Sequence, residues 1–346
     1  MASSSSISRT RPQPAPEPTR DDLRQVRWAA GIWVLVAVFA VVTAVWSHHV
    51  GVPLRDPDGK MFRGRLTSAL VLFAGLVLLE AVVRTVRERQ PWRRFVATLR
   101  SRWTVRRLAL AVTGLVAYHA VYICYRNLKS WDAFNTVRDE QMLRFDRWMF
   151  LGHDPAALLH DVFGQDTAAY VLMVVYKSFT YLVPLSVVAA LVFTPRIREG
   201  YVFLASAMWV WVLGVGSYYL IPTLGPFASA PHVFAALPHT GITSTQAEYM
   251  AERAQMLADP AAPDSFVSIS AFASLHVGFT CMVLFMLLYY RRRRLALAMT
   301  AYLLAVMVAT VYFGWHFVVD DIAGVALAAL AVLLGRFTVY PTGRPD

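Results

Sequence analysis

Apolar residues in this chain fall into long runs separated by short polar stretches. Eight runs of about 18 to 25 residues can be marked: Trp28–Trp46, Leu66–Val83, Leu108–Tyr125, Ala168–Phe193, Tyr201–Ile221, Phe272–Tyr290, Leu295–Phe313 and His316–Phe337. A helix of about 20 residues crosses a hydrocarbon core of about 30 Å, so each run is long enough to span a membrane. The pattern predicts an all-α fold, a polytopic transmembrane helical bundle of about eight spans. The first run exceeds a signal-peptide apolar region and no small-residue cleavage site follows it, so it is expected to remain as a span. Residues 1–27, with a Ser run, a Pro-rich stretch and five arginines, have no apolar periodicity and read as a disordered tail.

Composition supports the same reading. Hydrophobic residues make up 57% and charged residues 16% of the 346 residues, against about 45–50% and 25% in soluble domains. The net charge of +11 sits in short blocks between the apolar runs, where it orients helices, and nucleic-acid binding is excluded on that ground. If the spans alternate, 22 of the 33 Lys and Arg residues fall on one side and ten on the other, with Lys177 inside a span. The richer side is expected to be cytoplasmic, with both termini there, in the plasma membrane. The two cysteines, Cys124 and Cys281, show no metal or redox spacing.

Two loops on the opposite, outer side are long. Within residues 126–167, Met142, Phe145, Met149 and Phe150 recur at helical spacing among charges over Asp139–Leu151, which predicts an amphipathic helix lying flat on the outer leaflet. Within residues 222–270 a helical stretch over Thr243–Leu257 is expected to act as a lid.

Ionisable residues at membrane depth are costly and mark function. His276 lies near the outer end of the sixth run and His316 opens the eighth on the same side, so two histidines from separate helices arrive at one depth. His316 and Asp320 are spaced i, i+4, which on a helix puts the carboxylate within reach of the imidazole. A carboxylate there fixes the tautomer and stabilises the imidazolium. A nucleophilic His with an orienting Asp, facing a second His as acid, suits phosphoryl transfer through a phosphohistidine. The scheme requires no metal and no cofactor. Gly-rich phosphate loops and internal repeats are absent.

Ser270–Gly278 (SAFASLHVG) and Tyr312–Gly324 (YFGWHFVVDDIAG) resemble the second and third signature motifs of the PAP2 phosphatase superfamily. They are most similar to the inositolphosphotransferase branch, which contains the inositol phosphorylceramide synthases. The stretch LRFDRWMFLGHDP (Leu143–Pro155) and Tyr176–Pro184 also resemble that branch. The resemblance covers roughly residues 108–337 and implies a six-helix catalytic core there, after two extra spans and a basic cytoplasmic loop over 28–107 and before a cytoplasmic tail over 338–346. It implies His316 as nucleophile, Asp320 as its orienting partner, His276 as general acid and Ser274 as a phosphate ligand. Ala273 replaces the usual Pro, Ala309 and Thr310 stand where Ser and Arg are expected, and YYLIPTLGP (Tyr218–Pro226) lacks the first motif's cations.

A phosphoryl group in transit still needs positive charge around its oxygens. Arg126 and Lys129, at the outer end of the third run, are the candidates. Lys177, about 15 Å below the boundary at 1.5 Å per residue, reads as too deep for direct contact unless the cavity is deep and wet. Asp321 is expected to face away from His316 in a first-turn role. The implied substrate is a lipid phosphate or phospholipid, with water, a polyol or a sugar as acceptor. The competing readings are a non-catalytic transporter or scaffold with a degenerate bundle, and a metal or haem protein using the two histidines.

Overall fold

The computed structural model describes residues 27–56, 58–88, 91–262 and 266–342. The tail expected over residues 1–27 lies, but for Arg27, outside these residues, as do the last four positions of the C-terminal tail. The described residues form thirteen α-helices and no strand. Seven are long and apolar enough to cross a membrane: α1 (Arg27–Val50), α2 (Lys60–Arg87), α4 (Val105–Trp131), α7 (Thr167–Phe193), α8 (Ile197–Leu220), α12 (Arg293–Tyr312) and α13 (Val318–Val339). The protein is therefore a multi-pass helical membrane protein.

The sixth apolar run behaves differently. Its helix, α11 (Leu275–Tyr289), has only 15 residues, about 22 Å at 1.5 Å per residue. Phe272–Ser274 stay outside the helix, in a non-helical segment from 266 that is stitched to its neighbours: Ala271 and Phe272 donate to the Thr223 carbonyl and hydroxyl, and Ala273 to Ser217 Oγ. A shorter helix is tolerated because α11 is buried within the bundle, where protein groups satisfy the non-helical backbone.

At the centre, α8 packs along α4, α11 and α13, with α1 against α4 and α2 against α4 and α7. Tyr201 donates to the Leu110 carbonyl at 2.6 Å and Trp211 Nε1 to the Tyr118 hydroxyl at 3.1 Å, tying α8 to α4. Trp209 and Trp211 both serve packing, Trp209 Nε1 bonding Thr338 Oγ1 of α13. Small residues set the closest crossings, as expected where apolar burial gives no drive between helices.

The two ends of the bundle differ. At the basic end, Arg102 of α3 (Phe95–Arg102) and Arg107 of α4 donate to the Thr194 and Pro195 carbonyls that terminate α7, where guanidinium groups complement the helix dipole. At the other end α5 (Asp139–Met149), α6 (Pro155–Phe163), α9 (Pro226–Ser229) and α10 (Gly241–Ala258) form a cap. α10 starts at Thr240, whose side chain caps it.

The amphipathic stretch expected to lie flat on the leaflet is α5, and the structure shows what its inward face holds. Asp139 and Asp146, seven residues apart on one face, are buried and grip the protein, while Phe145 and Trp148 stack at 5.6 Å on the exposed face. The apolar spacing was legible, but two buried carboxylates among charged neighbours were not distinguishable from solvated ones.

Candidate active site

His276 is the second residue of α11, held by the turn that Ser274 caps through the Val277 amide. Its ring stacks on Tyr176 at 4.4 Å and lies 4.3 Å from Phe179, both on α7. His316 sits in the turn between α12 and α13, and the two imidazole centroids are 5.9 Å apart. The crossing that brings them together is close. A Cβ on Gly324 of α13 would lie 2.6 Å from the Ser274 carbonyl and 3.2 Å from the Gly278 amide, so α11 and α13 meet where neither glycine has a side chain.

His316 Nδ1 is 3.4 Å from Asp320 Oδ2, an ion-pair separation without a hydrogen bond at Nδ1. The reason corrects the helix-face reading. α13 begins at Val318, so His316 precedes the helix and the pair meets across a turn, while Asp320 Oδ2 accepts the Phe317 amide at 2.9 Å. The Ala271 carbonyl is the imidazole's other polar neighbour.

Asp321 does not face away as expected. It is 1% exposed, accepts the Thr310 hydroxyl at 3.0 Å and the Ser274 hydroxyl, and lies close enough to His316 to interact electrostatically. With the helix starting after His316, the i+5 argument from helical periodicity does not apply. Thr310, the residue in place of the expected Arg, thus anchors a carboxylate instead of bearing a charge. Ser274 is fully buried, divided between the α11 cap and Asp321, and is not among the residues lining the cavity.

A helix start with no side-chain cap of its own needs partners for its free amides. Phe317 provides none for Val318 and Val319, and Asp146 of α5 does: Oδ2 accepts Val318 N at 2.8 Å and Oδ1 accepts Val319 N at 3.3 Å. Burial pushes the Asp146 carboxyl above the usual carboxylate range, and the two amides oppose that shift. Asp139 takes the Leu224 and Gly225 amides at 2.9 and 2.7 Å. Gly225, at φ 110°, lies against the Trp315 carbonyl. α5 therefore clamps the start of α13, which follows His316, and the Leu224–Gly225 segment that lies against Trp315, a function no spacing rule pointed to.

His276 and His316 line the polar end of a cavity of about 860 Å³. Arg126 and Lys129 of α4 line it too. The Arg126 guanidinium lies 3.3 Å from Ser268 Oγ, and Lys129 Nζ sits 5.3 Å from the Tyr218 ring and interacts electrostatically with both histidines. Lys177, expected to be out of contact unless the cavity is deep, also lines it, because the cavity runs down between α4 and α7 past it. α2, outside the expected core, contributes Arg65, Ser68, Ala69 and Leu72 to the wall. α10 covers the polar end with Ile242, Thr245 and Tyr249, and Trp315 stacks on Tyr176 at 5.6 Å beneath it. No Asp or Glu lines the cavity among the described residues. No three His, Cys, Asp or Glu side chains among them converge as metal ligands.

Fold and site together define a multi-pass membrane protein whose histidine pair opens on a cation-lined cavity. Residues 140–334, more than half of the chain, match the family model of the PAP2 superfamily, and the protein belongs to that superfamily, which carries the phosphatase and phosphotransferase type of fold. No curated protein and no solved structure gives a significant match.

Proposed function

We propose that the protein is a PAP2-type lipid phosphotransferase or lipid phosphate phosphatase that works through a phosphohistidine at the outer face of the plasma membrane. The observation that carries this reading is the pair of imidazoles 5.9 Å apart, from α11 and from the α12–α13 turn, at the end of a cavity lined by Arg126 and Lys129. The outer placement rests on the excess of Lys and Arg at the other ends of the spans.

With its Nδ1–H directed at Asp320, His316 presents the Nε2 lone pair to phosphorus. The N–P bond forms as the P–O bond to the leaving group breaks, and His276 delivers its proton to the departing oxygen. Asp320 stabilises the imidazolium, and Arg126 and Lys129 balance charge on the phosphoryl oxygens. In the second half, His276 takes a proton from the acceptor hydroxyl, whose oxygen attacks phosphorus and releases His316. Water as acceptor gives a phosphatase, and a polyol or sugar gives the transferase that the inositolphosphotransferase-like motifs favour. Ser274 supports the site from behind, as the cap of α11 and a donor to Asp321.

The test is phosphate release from a panel of lipid phosphates by purified protein, with and without myo-inositol, beside His316→Ala. Turnover lost in the variant supports the nucleophile, and a new phosphodiester with inositol selects transferase over phosphatase. Equal turnover in both proteins sinks the site, and no turnover in either favours a transporter or scaffold.

A further inference from the structure

The cavity's lining residues fall into two groups by exposure. Those at the polar end, including His316, Trp315, Ser270 and Tyr218, are buried or half-buried. Every lining residue exposed on the protein surface belongs to α2 or α7: Gly64, Arg65 and Ser68 on one side, Lys177, Thr180, Tyr181 and Pro184 on the other. On α7 these positions are spaced i, i+3, i+4 and i+7, one helical face. Both helices are membrane spans. The exposed positions lie roughly 6–12 Å along α2 and 15–26 Å along α7 from the ends nearest the site, at 1.5 Å per residue. The cavity thus has a lateral mouth that opens into lipid.

Two cations flank that mouth, where a charged side chain is costly unless it has something to bind. The Arg65 guanidinium lies 4.4 Å from the Tyr122 ring, and Tyr122 is one helical turn from Arg126. Lys177 Nζ rests against Gly241 at the start of α10, and its neighbour Tyr176 stacks on His276. Each cation therefore stands one step from the catalytic end. Away from it the wall turns apolar, with Leu72, Leu115, Val183, Val187 and Val188. From Arg126 to Leu115 this wall runs about 16 Å along α4. Fixed positive charge at one end, apolar wall at the other and an opening to the bilayer complement a lipid with a phosphate head and at least one long chain.

We infer that the gap between α2 and α7 is a portal through which a phosphate-headed lipid enters from the bilayer, and that Arg65 and Lys177 form a first binding station for its head before Arg126, Lys129 and the histidines receive it. This rests on the phosphoryl-transfer reading above for the fate of the lipid, not for its capture. α2 lies outside the segment that matches the superfamily, and Lys177 lies inside it, so the Arg65 half of the station is an addition to that segment.

The test is equilibrium binding of a phosphatidate with one fluorescent chain to the full-length protein in nanodiscs of neutral phospholipid, with the diacylglycerol of the same chains as uncharged control. The double variant Arg65→Gln, Lys177→Gln is expected to weaken phosphatidate binding by about tenfold or more, with diacylglycerol binding changed less than about twofold. Arg65→Lys should keep most of the affinity. Ser68→Trp with Thr180→Trp, which narrows the gap without touching charge, should weaken both lipids. Phosphatidate affinity unchanged in the double Gln variant, or no phosphatidate binding to the wild type, overturns the portal. Phosphate release measured on the same proteins separates the two ideas. Charge-dependent binding without turnover in any of them fails the catalytic reading and leaves the portal standing, whereas turnover abolished by His316→Ala with binding indifferent to Arg65 and Lys177 fails the portal alone.

Discussion

His316 and Asp320 are 5% and 0% exposed, whereas Arg65 and Lys177, across the same cavity, lie open at the surface. The first pair is held from every side: by the Asp146 clamp on the α13 amides, by the bond from the Ser274 amide to the Asp320 carbonyl at 3.0 Å, and by the glycine crossing of α11 and α13. The second pair rests on one aromatic face and one helix start. The contrast fits the roles proposed for the two pairs. Groups that make and break bonds lose rate when displaced by about an ångström, while groups that attract an anion at longer range tolerate motion. The rigid end and Lys177 lie inside the matched segment, and Arg65, Arg126 and Lys129 lie outside it, so three of the four cations lining the cavity come from a different part of the chain than the histidines.

The largest effect is expected at the rigid end. His316→Ala should lower phosphate release by at least about 10³-fold, and His276→Ala by about 10²–10⁴-fold in kcat; a loss below tenfold in both would erase the distinction between the two regions. Gly324→Ala, which places a methyl against the Ser274 carbonyl, should separate the imidazoles and cost about 10²-fold in kcat, with about 1–3 kcal/mol of stability lost to overpacking. Steady-state kinetics beside thermal unfolding would check both. Lys129→Gln should raise KM by about tenfold or more while changing kcat less, and a pure kcat effect would move Lys129 from binding into the chemistry. The smallest effect concerns the clamp. Asp146→Ala should cost about 1–2 kcal/mol of stability with a fall in kcat, and Asp146→Asn, which keeps an acceptor for the Val318 amide, should recover much of both. A variant Asp146→Ala as stable and active as wild type would show that α13 starts correctly without α5.

Much of the architecture was readable from hydropathy because a bilayer demands long apolar helices. The runs and the helices agree to within a few residues at most ends, and the larger differences have two causes. Leu66–Val83 becomes Lys60–Arg87, where Lys and Arg at the ends reach the interface, and Leu108–Tyr125 becomes Val105–Trp131, where Asn127, Ser130 and Trp131 are buried in the protein and Arg126 and Lys129 line the cavity. That His276 and His316 come together was readable because intramembrane ionisable residues are rare and both lie at one depth, and Arg126 and Lys129 line the same cavity. Ser274 was assigned by motif position, yet its hydroxyl is spent inside the protein. Asp321 was judged from distance along an ideal helix, which failed once α13 began after His316, whereas Lys177 turned on the depth of the cavity, which only the packing of α4, α7 and α2 fixes.

The sequence by itself determined that the chain spans a membrane, where its helices run and which histidines share a depth, since those follow from residue type and period. Only the tertiary structure decided that α5 turns two carboxylates inward, that a capping Ser and Thr310 hold Asp321, and that α2 completes the cavity. Each of these depends on contacts between segments remote in sequence, such as Asp146 with Val318 and Arg65 with Tyr122, and periodicity within one segment carries no information about which distant segment it will meet.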